Sequence, residues 1–234
     1  MSQKTIIAAS ILSADFANLG IESKNIISAG ADVIHFDVMD HHFVPNLSVG
    51  AVVCNALRKA GITAPIDVHL MVEHPEKYIQ PFADAGATLL TFHPETVSSV
   101  ENMVDEIREA GMKTGLAFNP EKPVNVEANL IEKIDLILLM SVHPGFSGQS
   151  FLPGSLDKIK KTRDWMEKTT GQAMLGIDGG IKTNNIGDAA KAGADFFVVG
   201  SGLFHTNDYR AEVARMRWQV IGQAPRGIGN NGQS

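Results

Sequence analysis

The most regular feature of the sequence is an alternation of short apolar runs with longer stretches in which apolar residues recur at helical spacing. This pattern is typical of repeated βα units around a parallel sheet. Eight runs predict β-strands at Thr5–Leu12, Val33–Val38, Ile66–Met71, Leu89–Phe92, Lys113–Phe118, Leu136–Ser141, Met174–Ile177 and Phe196–Val199. The chain is therefore predicted to have an α/β fold.

An Ala-Gly pair stands shortly before five of these runs, with its glycine at Gly30, Gly61, Gly86, Gly111 and Gly193. Glycine accepts the left-handed conformation that ends a helix, so each pair predicts a helix end that leads into a strand. Eight strands with intervening helices and no linker favour a single (β/α)8 TIM barrel over residues 1–221, rather than an open sheet. Residues 222–234 are rich in Gly and Asn and predict a flexible C-terminal tail.

Composition and charge narrow the range of functions. The 234 residues suffice for one domain with a sizeable core. A net charge of −6 and a pI near 5.7 weigh against a nucleic acid or an anionic membrane as partner. No apolar stretch reaches membrane-spanning length, and Met1–Ser10 lacks the features of a signal peptide, so we expect a cytoplasmic protein. Cys54 is the only cysteine, which excludes an intramolecular disulfide.

Candidate metal ligands lie in the second, third and seventh runs. The two-residue period of a strand places His35 and Asp37 on one face of the second run and points His69 the same way in the third. Asp178 follows the seventh run, where a barrel carries its chemistry. A single inward His or Asp more often belongs to a hydrogen-bonded network. Two imidazoles and two carboxylates together predict a site for one divalent metal ion, Zn²⁺, Fe²⁺, Mn²⁺ or Co²⁺.

Other polar residues near these ligands have simpler interpretations. Asp67 shares the inward face of the third run, and we expect it to orient an imidazole rather than to bind metal. His93 follows the fourth run and could face the pocket or satisfy a loop carbonyl, and we favour the loop carbonyl. His41 and His42 lie beyond the second run and are interpreted as loop residues.

Three glycine-rich segments follow the last three predicted strands, at residues 143–149, Gly179–Gly180 and Gly200–Gly202. Loops of this kind bring backbone N–H groups close to an anion, and barrels often bind phosphate after their seventh and eighth strands. Each segment alone also fits an ordinary tight turn. Together they predict a phosphorylated ligand.

The motifs in their order closely resemble the ribulose-phosphate 3-epimerase family, over residues 5–220. The resemblance is carried by Ser10 in Ala-Ala-Ser-Ile-Leu, His35-Phe-Asp-Val-Met-Asp40, His42-Phe-Val-Pro-Asn46, Asp67-Val-His-Leu-Met-Val72, His143-Pro-Gly-Phe-Ser-Gly-Gln149, Asp178-Gly-Gly180 and Gly200-Ser201. It implies a TIM barrel of the ribulose-phosphate-binding type and a phosphorylated ketose as substrate. The resemblance is also compatible with a homo-oligomer, although no surface feature identified in the sequence supports one.

The resemblance also assigns roles to individual residues. It implies one divalent metal, Zn²⁺ or Fe²⁺ before Mn²⁺ or Co²⁺, on His35, Asp37, His69 and Asp178, with Asp37 and Asp178 as the catalytic acid and base. Substrate contacts are implied for Ser10, His69, Gly145, Phe146, Ser147, Gly148, Gly179, Gly180, Gly200 and Ser201, and a methionine cap for Met39, Met71 and Met140. Without the resemblance, these methionines would be interpreted as core.

The implied reaction interconverts D-ribulose 5-phosphate and D-xylulose 5-phosphate by two-base proton transfer at C3 through an enediolate. His41 and Ser147 each stand where the family often has glycine, and these departures leave D-allulose 6-phosphate as an alternative substrate. A lyase or decarboxylase on the same barrel commonly needs a lysine beside its aspartates, and the third run has none. A non-catalytic sugar-phosphate-binding protein ranks lower, because both carboxylates are present.

Overall fold

In the computed structural model, which describes residues 5–127, 129–169 and 171–222, eight parallel strands form a closed barrel in sequence order. The strands are β1 (Ile6–Ser10), β2 (Val33–Met39), β3 (Ile66–Met71), β4 (Leu89–Phe92), β5 (Lys113–Phe118), β6 (Leu136–Met140), β7 (Met174–Asp178) and β8 (Phe196–Val199). Because β8 pairs with β1, the sheet has no free edge. The predicted α/β barrel is confirmed, whereas the predicted tail, except Gly222, lies outside the described residues.

The helices surround the barrel. They are α1 (Leu19–Ser28), α2 (Ala51–Lys59), α3 (Ile79–Asp84), α4 (Val100–Glu109), α5 (Ser155–Met166), α6 (Ile186–Ala192), α7 (Ser201–Phe204) and α8 (Tyr209–Ile221). Between β5 and β6 the described residues contain a short 3-10 turn, Ile131–Lys133, instead of an α-helix. Within the described part of the chain, no helix is long and apolar enough to span a membrane.

The five Ala-Gly pairs end helices as predicted. Their glycines have φ between 82° and 118° and follow α1 to α4 and α6. The predicted strand ends at Val38, Ser141 and Ile177 are each wrong by one residue, since β2, β6 and β7 end at Met39, Met140 and Asp178. The first predicted strand begins one residue too early and ends two residues too late. There β1 ends at Ser10, because Ile11–Ser13 turn into a 3-10 conformation.

The core has two layers. The larger layer lies between the sheet and the helices and includes the fully buried Phe36, Phe82 and Phe197. The smaller layer fills the inside of the barrel with apolar side chains from β1, β2, β4, β5, β6 and β8. Polar residues share the barrel interior in adjacent register, His35 beside Asp67 and Asp37 beside His69.

Candidate metal centre and active site

Four side chains converge at the carboxyl end of the barrel. Each of His35, Asp37, His69 and Asp178 offers one ligand atom, and these atoms all lie within 4.8 Å of one another. β2 and β3 carry the first three residues, and β7 carries Asp178 from another part of the sheet. The structure thus brings together the whole predicted ligand set.

His35 is oriented by Asp67. Its Nδ1 lies 2.8 Å from Oδ2 of Asp67, so it donates a proton to that carboxylate. Its Nε2 is buried without a hydrogen-bond partner and lies 3.2 Å from Oδ1 of Asp37. A neutral imidazole that donates through Nδ1 carries its lone pair on Nε2, the form that binds a metal. The predicted orienting contact of Asp67 is confirmed.

Asp67 is itself held by a hydrogen bond inside the barrel. The hydroxyl of Thr91 donates to Oδ1 of Asp67 over 3.0 Å. The neighbouring position on β5 is Gly115, where a Cβ atom would overlap the Thr91 hydroxyl. The absence of a side chain at Gly115 therefore lets Thr91 reach Asp67.

His69 contacts the cluster through Nδ1, which lies 3.3 Å from Oδ1 of Asp37 and 3.6 Å from Oδ2 of Asp178. Its Nε2 lies 3.0 Å from Nε2 of His93. His93 is fully buried, and its ring contacts another imidazole rather than a loop carbonyl. The prediction for His93 was wrong, because the ring is buried against His69 instead of reaching a loop carbonyl.

The two carboxylates of the cluster differ in electrostatic environment. Burial raises the pKa of Asp37, but the charge of His35, whose Nε2 lies 3.2 Å away, and the close Nδ1 of His69 outweigh burial and hold this pKa well below its usual range. Ser10 also donates a hydrogen bond to Oδ2 of Asp37 over 2.6 Å. Burial raises the pKa of Asp178 to about 6, although His35 opposes the shift. Asp37 is thus the more acidic carboxyl of the pair.

The histidines show the same competition between burial and charge. Burial lowers the pKa of His35, but Asp37 and Asp67 raise it well above the ordinary value. Burial and the neighbouring His69 lower the pKa of His93 well below its ordinary value. Among the described residues, the ion-pair partners of Asp37, Asp67 and Asp178 are histidines only. Buried carboxylates with one orphaned imidazole nitrogen between them suit a cation.

A pocket opens directly above the cluster. Asp178 faces it with 15% of its side chain exposed. The predicted contact residues that line this pocket are Ser10, Met39, Met71, Met140, Gly145, Phe146, Ser147, Gly148, Gly179, Gly180, Gly200 and Ser201. The predicted roles of these residues are taken up below as proposals.

All three glycine-rich segments contribute residues to the lining of this pocket. None of the described residues that line it is lysine or arginine, so an anion bound there would rely on backbone N–H groups and hydroxyls. Gly180 has φ of 65° and leaves no room for a Cβ atom, which would overlap the backbone of Phe151. The Ser141 hydroxyl donates to the carbonyls of Asp178 and Gly179, which fixes the end of β7.

Two loops meet over the pocket through a contact that sequence reasoning missed. Nδ2 of Asn46, in the loop after β2, donates to the carbonyl of Gly145, after β6, over 2.7 Å. No local sequence pattern reveals this contact, because the two residues are 99 positions apart. The same loop contains His41, which adopts φ of 62°, a conformation that glycine reaches more easily. His41 and His42 are exposed loop residues, as predicted.

The model of the ribulose-phosphate 3-epimerase family matches residues 6–204, most of the described barrel. The chain belongs to this family. Relatives include the ribulose-phosphate 3-epimerase of Serratia marcescens, 52% identical over 89% of this chain and 99% of that protein. The ribulose-phosphate 3-epimerase of Escherichia coli K12 is 51% identical over 92% of this chain and 96% of that protein. The family resemblance seen in the motifs is confirmed.

Solved structures share the fold of this epimerase-family chain at much lower identity. A structure of KGPDC from Streptococcus mutans gives a TM-score of 0.71 at 12% identity, over 94% of this chain and 99% of that one. The 3-hexulose-6-phosphate synthase of Salmonella typhimurium gives 0.66 at 18% identity, over 95% of this chain and 100% of that one. At such low sequence identity, these structures support the fold and nothing more.

Proposed function

We propose that this chain is a metal-dependent ribulose-phosphate 3-epimerase that interconverts D-ribulose 5-phosphate and D-xylulose 5-phosphate. The observation that carries the proposal is the set of four ligand atoms within 4.8 Å of one another beneath a pocket lined by three glycine-rich segments. Membership of the family gives the reaction, since the curated relatives bear this name. Cytosolic location and assembly into a homo-oligomer stay predictions.

One divalent metal ion is held by His35, Asp37, His69 and Asp178 in this proposal. We propose Zn²⁺ or Fe²⁺, because two imidazoles and two carboxylates suit both ions, while Mn²⁺ and Co²⁺ accept the same donors. The orphaned Nε2 of His35 and the excess of buried carboxylates support the fit. When bound, the metal supplies Lewis-acid stabilisation of the negative charge that develops when the C3 proton leaves.

The proton transfers fall to Asp37 and Asp178. A two-base epimerisation takes the C3 proton on one face of the planar enediolate and returns one on the other. The environments of the two carboxyls hold their pKa values apart, as expected of a pair in which one carboxyl takes a proton and the other returns one. Ser10 orients Asp37 through its 2.6 Å hydrogen bond to Oδ2.

Substrate binding is assigned to the pocket wall. The phosphate lies against the backbone of Gly145–Gly148, Gly179–Gly180 and Gly200–Ser201, where anions meet N–H groups without a charged side chain. Met39, Met71 and Met140 line the pocket beside the cluster and exclude water from the carbon that reacts. Ser10, which lines the pocket, contacts the sugar oxygens. His69, for which the resemblance implies a substrate contact, is fully buried and is not among the described residues that line the pocket, so it acts through the metal site.

Proton NMR in heavy water tests the proposal directly. Purified protein would be incubated with D-ribulose 5-phosphate, with added metal in one sample and with chelator in another. We expect xylulose 5-phosphate that carries solvent deuterium at C3, and we expect its formation to stop after chelation. Absence of exchange with every one of the four metals would overturn this substrate, and D-allulose 6-phosphate would be tested next.

A further inference from the structure

His93 lies just beyond β4 and is fully buried behind His69. The Nε2 atoms of the two rings are 3.0 Å apart, and their ring centroids lie 5.1 Å apart at an interplanar angle of 28°. On its other side the His93 ring meets Phe43, with 4.8 Å between centroids. His93 is therefore held between an aromatic side chain and a residue of the metal cluster.

A contact of 3.0 Å between two imidazole nitrogens requires one N–H and one lone pair. Nδ1 of His69 faces Asp37 and Asp178, the side on which a metal ligand must offer its own lone pair. The proton of a neutral His69 ring must then sit on Nε2. Consequently Nε2 of His93 accepts this proton, and the N–H of His93 is on Nδ1.

The Nδ1 atom of His93 is buried and has no hydrogen-bond partner among the described residues. A buried polar group without a partner lowers the stability of the fold, so an apolar ring at this position would pack at a lower cost. Packing therefore does not account for histidine here. The presence of histidine is explained by the hydrogen-bond acceptor that its Nε2 offers to His69.

We propose that His93 is a positioning residue that fixes the tautomer and the orientation of His69 for metal binding. The inference rests on the proposed metal-dependent function. His35 receives the corresponding support from the carboxylate of Asp67, whereas His69 receives it from an imidazole. The two histidine ligands thus bind through opposite ring nitrogens, Nε2 in His35 and Nδ1 in His69.

The test compares His93→Phe, His93→Gln and wild-type protein, each titrated with Co²⁺ as the probe. Affinity comes from competition with a chelator, and the visible absorption spectrum of bound Co²⁺ reports the geometry of its ligands. We expect His93→Phe to bind Co²⁺ about 10–100-fold more weakly, with an altered spectrum, because the acceptor is gone. We expect His93→Gln, which keeps an acceptor, to recover most of the affinity and the wild-type spectrum.

Phe43→Leu serves as the matched control for packing, because it loosens the other face of the His93 ring but leaves the hydrogen bond. We expect its Co²⁺ spectrum to match that of the wild type. Wild-type affinity and spectrum in His93→Phe would overturn the inference, as would an equal loss in Phe43→Leu. If the wild-type protein bound neither Co²⁺ nor any of the other three metals, the proposed metal-dependent function would fail, whatever the variants did.

Discussion

Nδ1 of His35 donates to Oδ2 of Asp67 over 2.8 Å, between two side chains that are both fully buried. This bond decides which nitrogen of His35 faces the cluster. The carboxylate also makes the imidazole a stronger donor to a metal. Asp67 therefore affects the metal site without a place among the proposed ligands.

Asp67→Asn is expected to weaken metal affinity by about 10–100-fold, because an amide orients His35 less firmly and no longer strengthens it as a ligand. Chelator competition with Co²⁺ measures the effect. Thr91→Val is the matched comparison, since it removes the 3.0 Å bond to the other oxygen of Asp67 and should cause a smaller loss. Unchanged affinity in Asp67→Asn would contradict the orienting role.

Asp37→Asn and Asp178→Asn are each expected to reduce epimerisation by about 10²–10⁴-fold at saturating metal, because each removes one of two proton-transfer groups. Deuterium exchange measured separately from each epimer adds a sharper criterion. Each variant should retain exchange with only one epimer, the one whose proton the remaining carboxylate removes.

The exposed acid Asp188, changed to Asn, provides the control for a lost carboxylate outside the site and should keep wild-type turnover. Turnover near the wild-type level in metal-loaded Asp37→Asn or Asp178→Asn would rule out the two-base scheme.

Gly180→Ala tests the phosphate-binding wall. Its Cβ would overlap the backbone of Phe151, so we expect the loop to shift and KM for the sugar phosphate to rise by about tenfold or more, with a stability loss of about 1–3 kcal/mol. Gly61→Ala shares the positive φ but meets nothing within 4 Å and lies at a helix end. It should lose stability while KM stays unchanged. An equal KM for both variants would speak against a phosphate at Gly180.

Asn46→Ala removes the 2.7 Å hydrogen bond to Gly145 that joins two loops over the pocket. A net hydrogen bond contributes about 0.5–1.5 kcal/mol, so we expect kcat/KM to fall by roughly 2–13-fold. Asn129→Ala is the control, because its bond to Glu101 also joins two segments, neither of which lines the pocket. Steady-state kinetics that do not distinguish the two variants would argue against the loop contact as a contribution to binding.

Cys54 is expected to resist alkylation in the folded protein. The thiol is buried, and burial raises its pKa to about 11. Because the thiolate is favoured less in the folded than in the unfolded state, this group contributes stability below the unfolded pKa of about 8.5 that is lost as the pH rises toward 11. Iodoacetamide at pH 8 should modify Cys54 only after denaturant is added. Rapid modification of the native protein would show that the site opens.

Much of the fold can be predicted because the signals are local. Strands such as Ile66–Met71 and Leu89–Phe92 are continuous runs whose ends coincide with those observed. The helix ends before five strands need a residue with positive φ, and the glycines at these positions are visible in the sequence. Where the prediction fails, as at Leu12, the chain leaves the strand in a 3-10 turn that contributes to the lining of the pocket, and that pocket exists only in the tertiary structure.

The residues of the candidate site also differ in whether a local sequence pattern predicts them. His35, Asp37 and His69 could be placed by the two-residue period of their strands, and Asp67 by its neighbour on the same face. His93 could not, because it lies outside a strand, where no period tells which way a side chain points. The contact between Asn46 and Gly145 spans 99 residues and arises only when the loops of a closed barrel meet.

Closure of the barrel between β1 and β8 has a consequence for assembly of the ligand set. β2 and β3 bring three donors together as neighbours, but Asp178 on β7 reaches them only across β8 and β1. A chain in which the first strands have formed but the barrel has not closed lacks Asp178 in its ligand set. During refolding, tight metal capture should therefore lag behind the formation of secondary structure and mark the moment at which the two ends of the sheet join.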